Sequence, residues 1–198
     1  MPTINSVVLK DKAVLAACDN FETETFTMTV SDNVLVSHLD VSCSTGEFNV
    51  SRNAQVNGTV SVTSKMYVNA SNSAQISLTQ NGGNAFVSQG NSAYIDFKAT
   101  LNTLEVESSG GSESHISGTA SLLKVTGAGL SRVDAELLES KDGDVVLSGS
   151  AKCHVNVTDH LKVNLVGGSM LTFKRTPVFE IDRVVNSTLI KADDARRK

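Results

Sequence analysis

The chain has no tryptophan, and its 198 residues include two tyrosines, two prolines and three cysteines. Sugar-binding sites often stack their ligand on tryptophan or tyrosine rings, so this composition argues against an aromatic sugar platform. Cys18, Cys43 and Cys153 form no CxxC pair, which predicts buried reduced thiols rather than a disulfide framework or a zinc site. No apolar run is long enough to span a membrane as a helix.

An excess of positive charge is also missing. Lysine and arginine number 17 against 21 aspartates and glutamates, for a formal net charge of −4. A nucleic-acid-binding surface needs a basic patch that neutralises phosphates, so the sequence predicts no nucleic-acid partner. Since 40% of the residues are hydrophobic and 19% are charged, the chain is expected to fold around a core rather than stay disordered.

The N-terminal region holds one motif that bears on location. Leu15-Ala16-Ala17-Cys18 resembles the cleavage box of a bacterial lipoprotein, but Lys10-Asp11-Lys12 interrupts the apolar stretch that such a signal requires. We therefore expect Cys18 to end a strand as a core residue. The sequence as it stands predicts a cytoplasmic protein, or a protein of the cell envelope or exterior if an export signal has been removed.

What the chain has in abundance is a repeat of about 19–20 residues, in which an apolar–x–apolar step precedes a polar turn and another follows it. Such regular spacing of Gly, Asn and Ser predicts one tight corner per repeat. The predicted corners are Lys10-Asp11-Lys12, Ser31-Asp32-Asn33, Arg52-Asn53, Ser71-Asn72-Ser73, Gln89-Gly90-Asn91, Ser109-Gly110-Gly111, Gly127-Ala128-Gly129, Ser148-Gly149-Ser150, Gly167-Gly168-Ser169 and Asn186-Ser187-Thr188.

Apolar residues keep a constant phase with these corners, as in Ile76-Ser77-Leu78 and Val155-Asn156-Val157. This alternation predicts strands with one face inward and one face in water. The predicted fold is an all-β, single-stranded parallel β-solenoid of about ten coils over residues 1–190, a rod roughly 45–50 Å long, expected to be right-handed. A charged tail follows over residues 191–198.

A β-sandwich is the competing fold. Asn57-Gly58 and Asp142-Gly143 are dipeptides that can form type I′ hairpin turns, and hairpins belong to antiparallel sheets. Hairpins would not return the same residue class to the same phase once per repeat. The periodicity therefore favours the solenoid.

Three segments at coil spacing carry a family resemblance: 104–111, 123–129 and 161–169. They resemble the repeated L-x-V-x-x-S-G-S-G steps of the putative auto-transporter adhesin, head GIN domain family. The segment Ser169–Pro177 is similar to that family's closing strand, with Phe173 in place of its usual tyrosine. The resemblance runs from Leu101 to Lys191 and implies a bacterial β-helical protein with an adhesin label and no established enzyme activity.

The histidines do not predict a site. His115 and His154 each precede an inward residue, so both are expected to face solvent, two coils or roughly 9–10 Å apart. Metal ligands lie about 2 Å from a shared ion, so this pair cannot form a metal site unaided. His38 and His160, the remaining histidines, are expected to be surface residues as well.

The carboxylates do not predict a site either. Polysaccharide-cleaving β-helices need two or three carboxylates on one face of adjacent coils. Asp96 and Asp134 share a phase, but Ser117 is expected on the coil between them. The carboxylates considered are Asp96, Glu105, Glu107, Asp134, Glu136, Glu139, Asp142 and Asp144.

The sequence thus predicts no catalytic, cofactor-binding or metal-binding residues. The favoured function is a non-enzymatic structural or adhesion module that presents flat strand faces to a surface glycan or protein. The alternative is a scaffold that self-associates through open solenoid ends, since uncapped strand edges pair readily. A polysaccharide-active enzyme is the third hypothesis, and it requires a carboxylate cluster that the spacing does not indicate.

Overall fold

A computed structural model describes residues 4–16 and 20–192, and every regular element in those ranges is a β-strand. Cys18 and residues 193–198 of the predicted tail lie outside the described residues. The strands are β1 (Ser6–Leu9), β2 (Val14–Leu15), β3 (Phe21–Val30), β4 (Leu35–Ser51), β5 (Gln55–Ser71), β6 (Gln75–Asn81), β7 (Asn84–Gln89), β8 (Tyr94–Ser108), β9 (Glu113–Gly127), β10 (Arg132–Leu147), β11 (Lys152–Val166), β12 (Met170–Lys174), β13 (Val178–Val185) and β14 (Thr188–Lys191).

The strands stack in parallel, one coil above the next. Ile76 lies beside Ile95, and Ile95 lies beside Ser114, so partners are one repeat apart in the sequence. Strand makes up 76% of the described residues, and the coils form a β-solenoid of about ten turns, which confirms the predicted fold. In residues 4–16 and 20–192 no helix is long and apolar enough to cross a membrane.

The sandwich alternative is wrong because its two turn dipeptides lie inside strands. Gly58 is in β5 and Gly143 is in β10, and both strands pair only in parallel. Each glycine admits a close neighbour: a Cβ on Gly58 would lie 2.5 Å from the Leu39 carbonyl oxygen, and one on Gly143 2.8 Å from a Val157 methyl. These glycines are there for packing between coils rather than for chain reversal.

The predicted corners are confirmed: each contains at least one residue with positive φ, and they stack along one edge of the rod. Backbone hydrogen bonds join successive corners, from Asn53 N to Asn72 O at 3.2 Å and from Gly111 N to Asn91 O at 2.8 Å. The corners therefore extend the hydrogen bonding of the strand ladder from coil to coil.

The corner chemistry changes along the rod. Near the N-terminal end Arg52 (φ 55°) and Asn53 (φ 61°) are both left-handed, the φ signs of a type I′ turn, and asparagine side chains bond from coil to coil. In three later corners only the first central residue has positive φ, as in a type II′ turn, and that residue is Gly110, Gly129 or Gly149. A Cβ on Gly129 would lie 3.2 Å from the Gly110 carbonyl oxygen, so these corners stack too closely for a side chain.

The core consists of columns in which equivalent residues of successive coils stack directly above one another. Val56, Ile76 and Ile95 form part of one column and are at most 2% exposed. Burying each such side chain stabilises the fold by about 1.5–3 kcal/mol. A separate inward column lies just inside the tight corner, and its side chains are small because little space remains there. These are Ala54, Ala74, Ala93, Ser112, Ser131, Ala151 and Ser169.

Both ends of the described stack expose core columns. The inward residues of β13, Phe179, Ile181 and Val184, are 36%, 54% and 39% exposed, because no described strand covers them. At the other end Val7 and Leu9 of β1 continue two of the same columns and are only partly buried. The apolar interior is thus open to solvent at each end of the part of the chain that the structure describes.

Gly118 provides a test of the close coil spacing. It has φ 111°, and an added Cβ would overlap the Ala99 carbonyl oxygen of the coil beneath. We expect Gly118→Ala to lower the free energy of unfolding by about 2–4 kcal/mol, measured from the urea midpoint by circular dichroism.

Gly111→Ala is the matched control. Gly111 does not have positive φ, and its added Cβ would meet nothing closer than the Asn91 carbonyl oxygen at 3.6 Å. This variant should stay within about 0.5 kcal/mol of the parent. Equal effects of the two substitutions would contradict the stacking described here.

Candidate functional site

A shallow groove, which we call the amide groove, lies on the outward face just before the tight corner in the N-terminal half. It has a volume of about 390 Å³ and two columns of polar side chains. Asn69 lies between Asn49 and Ser88 of the neighbouring coils, and its amide nitrogen donates to Asn49 Oδ1 at 2.9 Å. The second column contains Ser51 and Ser71, which are register partners. The groove therefore presents amides and hydroxyls at the coil spacing.

An aromatic pair borders the amide groove. Tyr67 and Phe86 are register partners on adjacent coils, and their ring centroids are 6.2 Å apart. Lys65 places its ammonium nitrogen 4.8 Å from the Tyr67 ring centroid, and its hydrogen bond to Tyr67 raises the pKa of Lys65. Both rings are half-buried on the outward face. The composition gives the number of aromatic residues but not their positions. In the structure Tyr67 and Phe86 are neighbours beside a polar groove.

A second polar surface, which we call the Asp/His column, lies on the face that follows the tight corner. Asp96, His115, Asp134 and His154 stand on four successive coils as register partners. The Asp134 carboxylate lies between the two imidazoles, with Oδ2 4.0 Å from His115 Nδ1 and Oδ1 3.9 Å from His154 Nδ1. Acid and base thus alternate along the rod.

The expectation that Ser117 separates Asp96 from Asp134 is wrong: the residue between them is His115. Strands β8 and β9 pair without any register slip from Tyr94 to Leu101, so Asp96 meets the residue one full coil later, and Ser117 lies beside Lys98. His115 and His154 are two coils apart as expected, and they face outward, since Ile116 and Val155 beside them are buried. The missed feature is the carboxylate between the imidazoles.

Glu136, two residues after Asp134 in β10, lies beside the Asp/His column and next to an irregularity in the strand. Asp134 pairs with His115 and Leu137 with Ser117, so β10 holds one residue more than β9 over this stretch, which is a β-bulge. Donor atoms of Asp134, Glu136 and His154 lie within 4.8 Å of one another. The Glu136 backbone N–H donates to Asp134 Oδ1 at 3.2 Å, and Lys174 Nζ contacts Glu136 Oε1 at 2.6 Å.

Two titratable groups near the Asp/His column, Cys153 and Tyr94, have raised pKa values. Burial, with a smaller contribution from the Asp134 charge, raises the pKa of the Cys153 thiol, which lies inside the coil next to His154. Burial also raises the pKa of Tyr94, with the Asp96 and Glu113 charges adding to it, and the Tyr94 ring lies 5.6 Å from that of His115. Cys153 is therefore a protonated core thiol rather than a thiolate ligand.

Several other charged residues form pairs on the surface. His160 Nδ1 lies 2.9 Å from Asp142 Oδ1, and the His160 side chain is 72% exposed. On a further outward column acidic and basic residues alternate, and Lys162 Nζ lies 2.8 Å from Glu180, whose hydrogen bond raises the pKa of Lys162. Exposed pairs of this kind contribute little to stability. The members of the alternating column are Glu105, Lys124, Asp144, Lys162 and Glu180.

Comparison with known proteins gives one match. The family model described as "Putative auto-transporter adhesin, head GIN domain" matches residues 9–177, which is most of the chain and agrees with the resemblance noted in the sequence. No curated protein and no solved structure matches the chain.

Proposed function

The chain belongs to the putative auto-transporter adhesin, head GIN domain family, and from this premise we propose that it is a non-enzymatic adhesion module whose amide groove binds a surface glycan. The role requires display at the cell envelope or outside it, and that location is part of the proposal. The family description and the β-solenoid fold support a structural or adhesion role.

The observation that carries the proposal is the amide groove and its aromatic border. A glycan offers many hydroxyl groups and apolar ring faces. Asn49 and Asn69 offer amide donors and acceptors, and Tyr67 and Phe86 offer ring faces beside them. Because neighbouring coils repeat these groups at about 4.8 Å, the groove suits an extended polymer better than a compact small molecule.

Removing the Tyr67 ring should weaken glycan binding by at least about tenfold, since it takes away the largest apolar contact beside the groove. The measurement is a glycan array with the parent protein, followed by affinity titration of Tyr67→Ala and Asn69→Ala against the best ligand.

Tyr94→Ala is the matched control, because it removes the same ring from a different face. It should bind glycan as the parent does. The proposal is overturned if Tyr67→Ala binds as tightly as the parent, or if the groove binds only proteins.

A second function, end-to-end assembly, is favoured by the exposed core columns. Ile181 and Val184 at one end stand in the same columns as Val7 and Leu9 at the other. A second copy placed head to tail would continue both columns and pair the free strand edges of β13 and β1. Such a contact is heterologous and does not close on itself, so it would produce filaments.

Ile181→Asp should abolish any concentration-dependent assembly, because it places a charge in the column that the next copy must bury. Sedimentation velocity and negative-stain microscopy over a range of concentrations would measure this. Val146→Asp is the control, since Val146 is an exposed outward residue away from the ends. A parent protein that stays monomeric at every concentration excludes the scaffold.

A further inference from the structure

We propose that Asp134, Glu136 and His154 form a binding site for a divalent transition-metal ion of the Zn²⁺ class. The inference does not depend on the amide groove, which lies on a different face and uses different residues. An imidazole nitrogen with two carboxylates is a ligand set typical of Zn²⁺ and its neighbours, whereas Mg²⁺ and Ca²⁺ prefer oxygen ligands alone.

The distances suit one shared ion. The three donor atoms lie within 4.8 Å of one another. Ligands about 2.0–2.2 Å from a common ion lie roughly 3–4 Å apart, so small rotations of these half-exposed side chains would close the site. The face is open to water, and solvent could therefore complete the coordination.

The backbone positions two of the ligands. Asp134 and Glu136 come from one strand and are two residues apart, so strand alternation places both on the outward face. His154 comes from the next coil and stands directly beside Asp134 in the register. A parallel ladder holds these positions rigidly, and rigid elements make more precise sites than loops do.

Neighbouring groups orient the Asp134 carboxylate. The Glu136 N–H donates to Oδ1 at 3.2 Å, and His115 stands 4.0 Å from Oδ2 on the opposite coil. Outer contacts of this kind fix ligand orientation in metal sites. His154 is therefore the imidazole ligand of the set, and His115 lies outside it.

Lys174 would compete with a metal ion for the Glu136 carboxylate. Its ammonium nitrogen contacts Glu136 Oε1 at 2.6 Å, so an incoming ion must share or replace this ion pair. The geometry therefore makes an unusual prediction: removing a positive charge near the site should strengthen binding of the ion.

The test is isothermal titration of tag-free full-length protein with Zn²⁺ at neutral pH, because protons compete with the ion for its ligands. We expect one ion per chain. Asp134→Asn and His154→Gln should each weaken binding by at least about tenfold, and Lys174→Gln should strengthen it. Nitrogen chemical shifts of the four histidines report which imidazole binds, and His154 should change most.

His160→Gln is the matched control, because His160 also pairs with an aspartate but has no described third ligand. It should bind Zn²⁺ as the parent does. The site is refuted if Asp134→Asn and His154→Gln bind like the parent, or if His160→Gln loses as much affinity as they do. Circular dichroism checks that each variant is folded. If Asp134→Asn does not fold, Lys174→Gln still tests the proposal.

Discussion

Parallel hydrogen bonding between successive coils is the constraint on which the rest of this structure depends. Because each strand pairs with the strand one repeat away, a residue is held beside its equivalent in the neighbouring coil, as Ile76 is beside Ile95. Side chains are therefore sorted into columns, inward or outward. The side chains of one column must be able to stack on each other at the coil spacing. In this fold the columns are apolar stacks, amide ladders, glycine stacks or alternating charges.

The same constraint explains where chemistry is found. A column of identical charges would repel itself at the coil spacing, whereas alternation of Asp96, His115, Asp134 and His154 places unlike groups beside each other. Alternation within one strand adds a third group to this column: Glu136 lies two residues after Asp134 and faces the same way, so its carboxylate lies near that of Asp134 and near the His154 imidazole.

The repeat made much of the fold predictable. The corners and the inward residues follow from phase alone, and Val56, Ile95 and Val155 are buried as expected. Assigning Ser117 to the column of Asp96 failed because the coil count slipped by two residues, and His115 takes that place. Phase does not report a β-bulge, which inserts a residue without changing the residue classes around it. The sequence pattern therefore gave no sign of the register shift after Asp134, which emerged only from the pairing of the strands.

The hydrogen bonds that join the coils run along the rod, and this direction decides how the molecule would carry a load. A pull on the two ends of the stack stretches those bonds a coil at a time, like opening a zipper, rather than shearing many together. Each coil released lengthens the chain by about 60 Å, from some 19 residues at about 3.3–3.6 Å each, against a height in the rod of about 4.8 Å. A rod built in this way yields gradually and lengthens greatly under such a load.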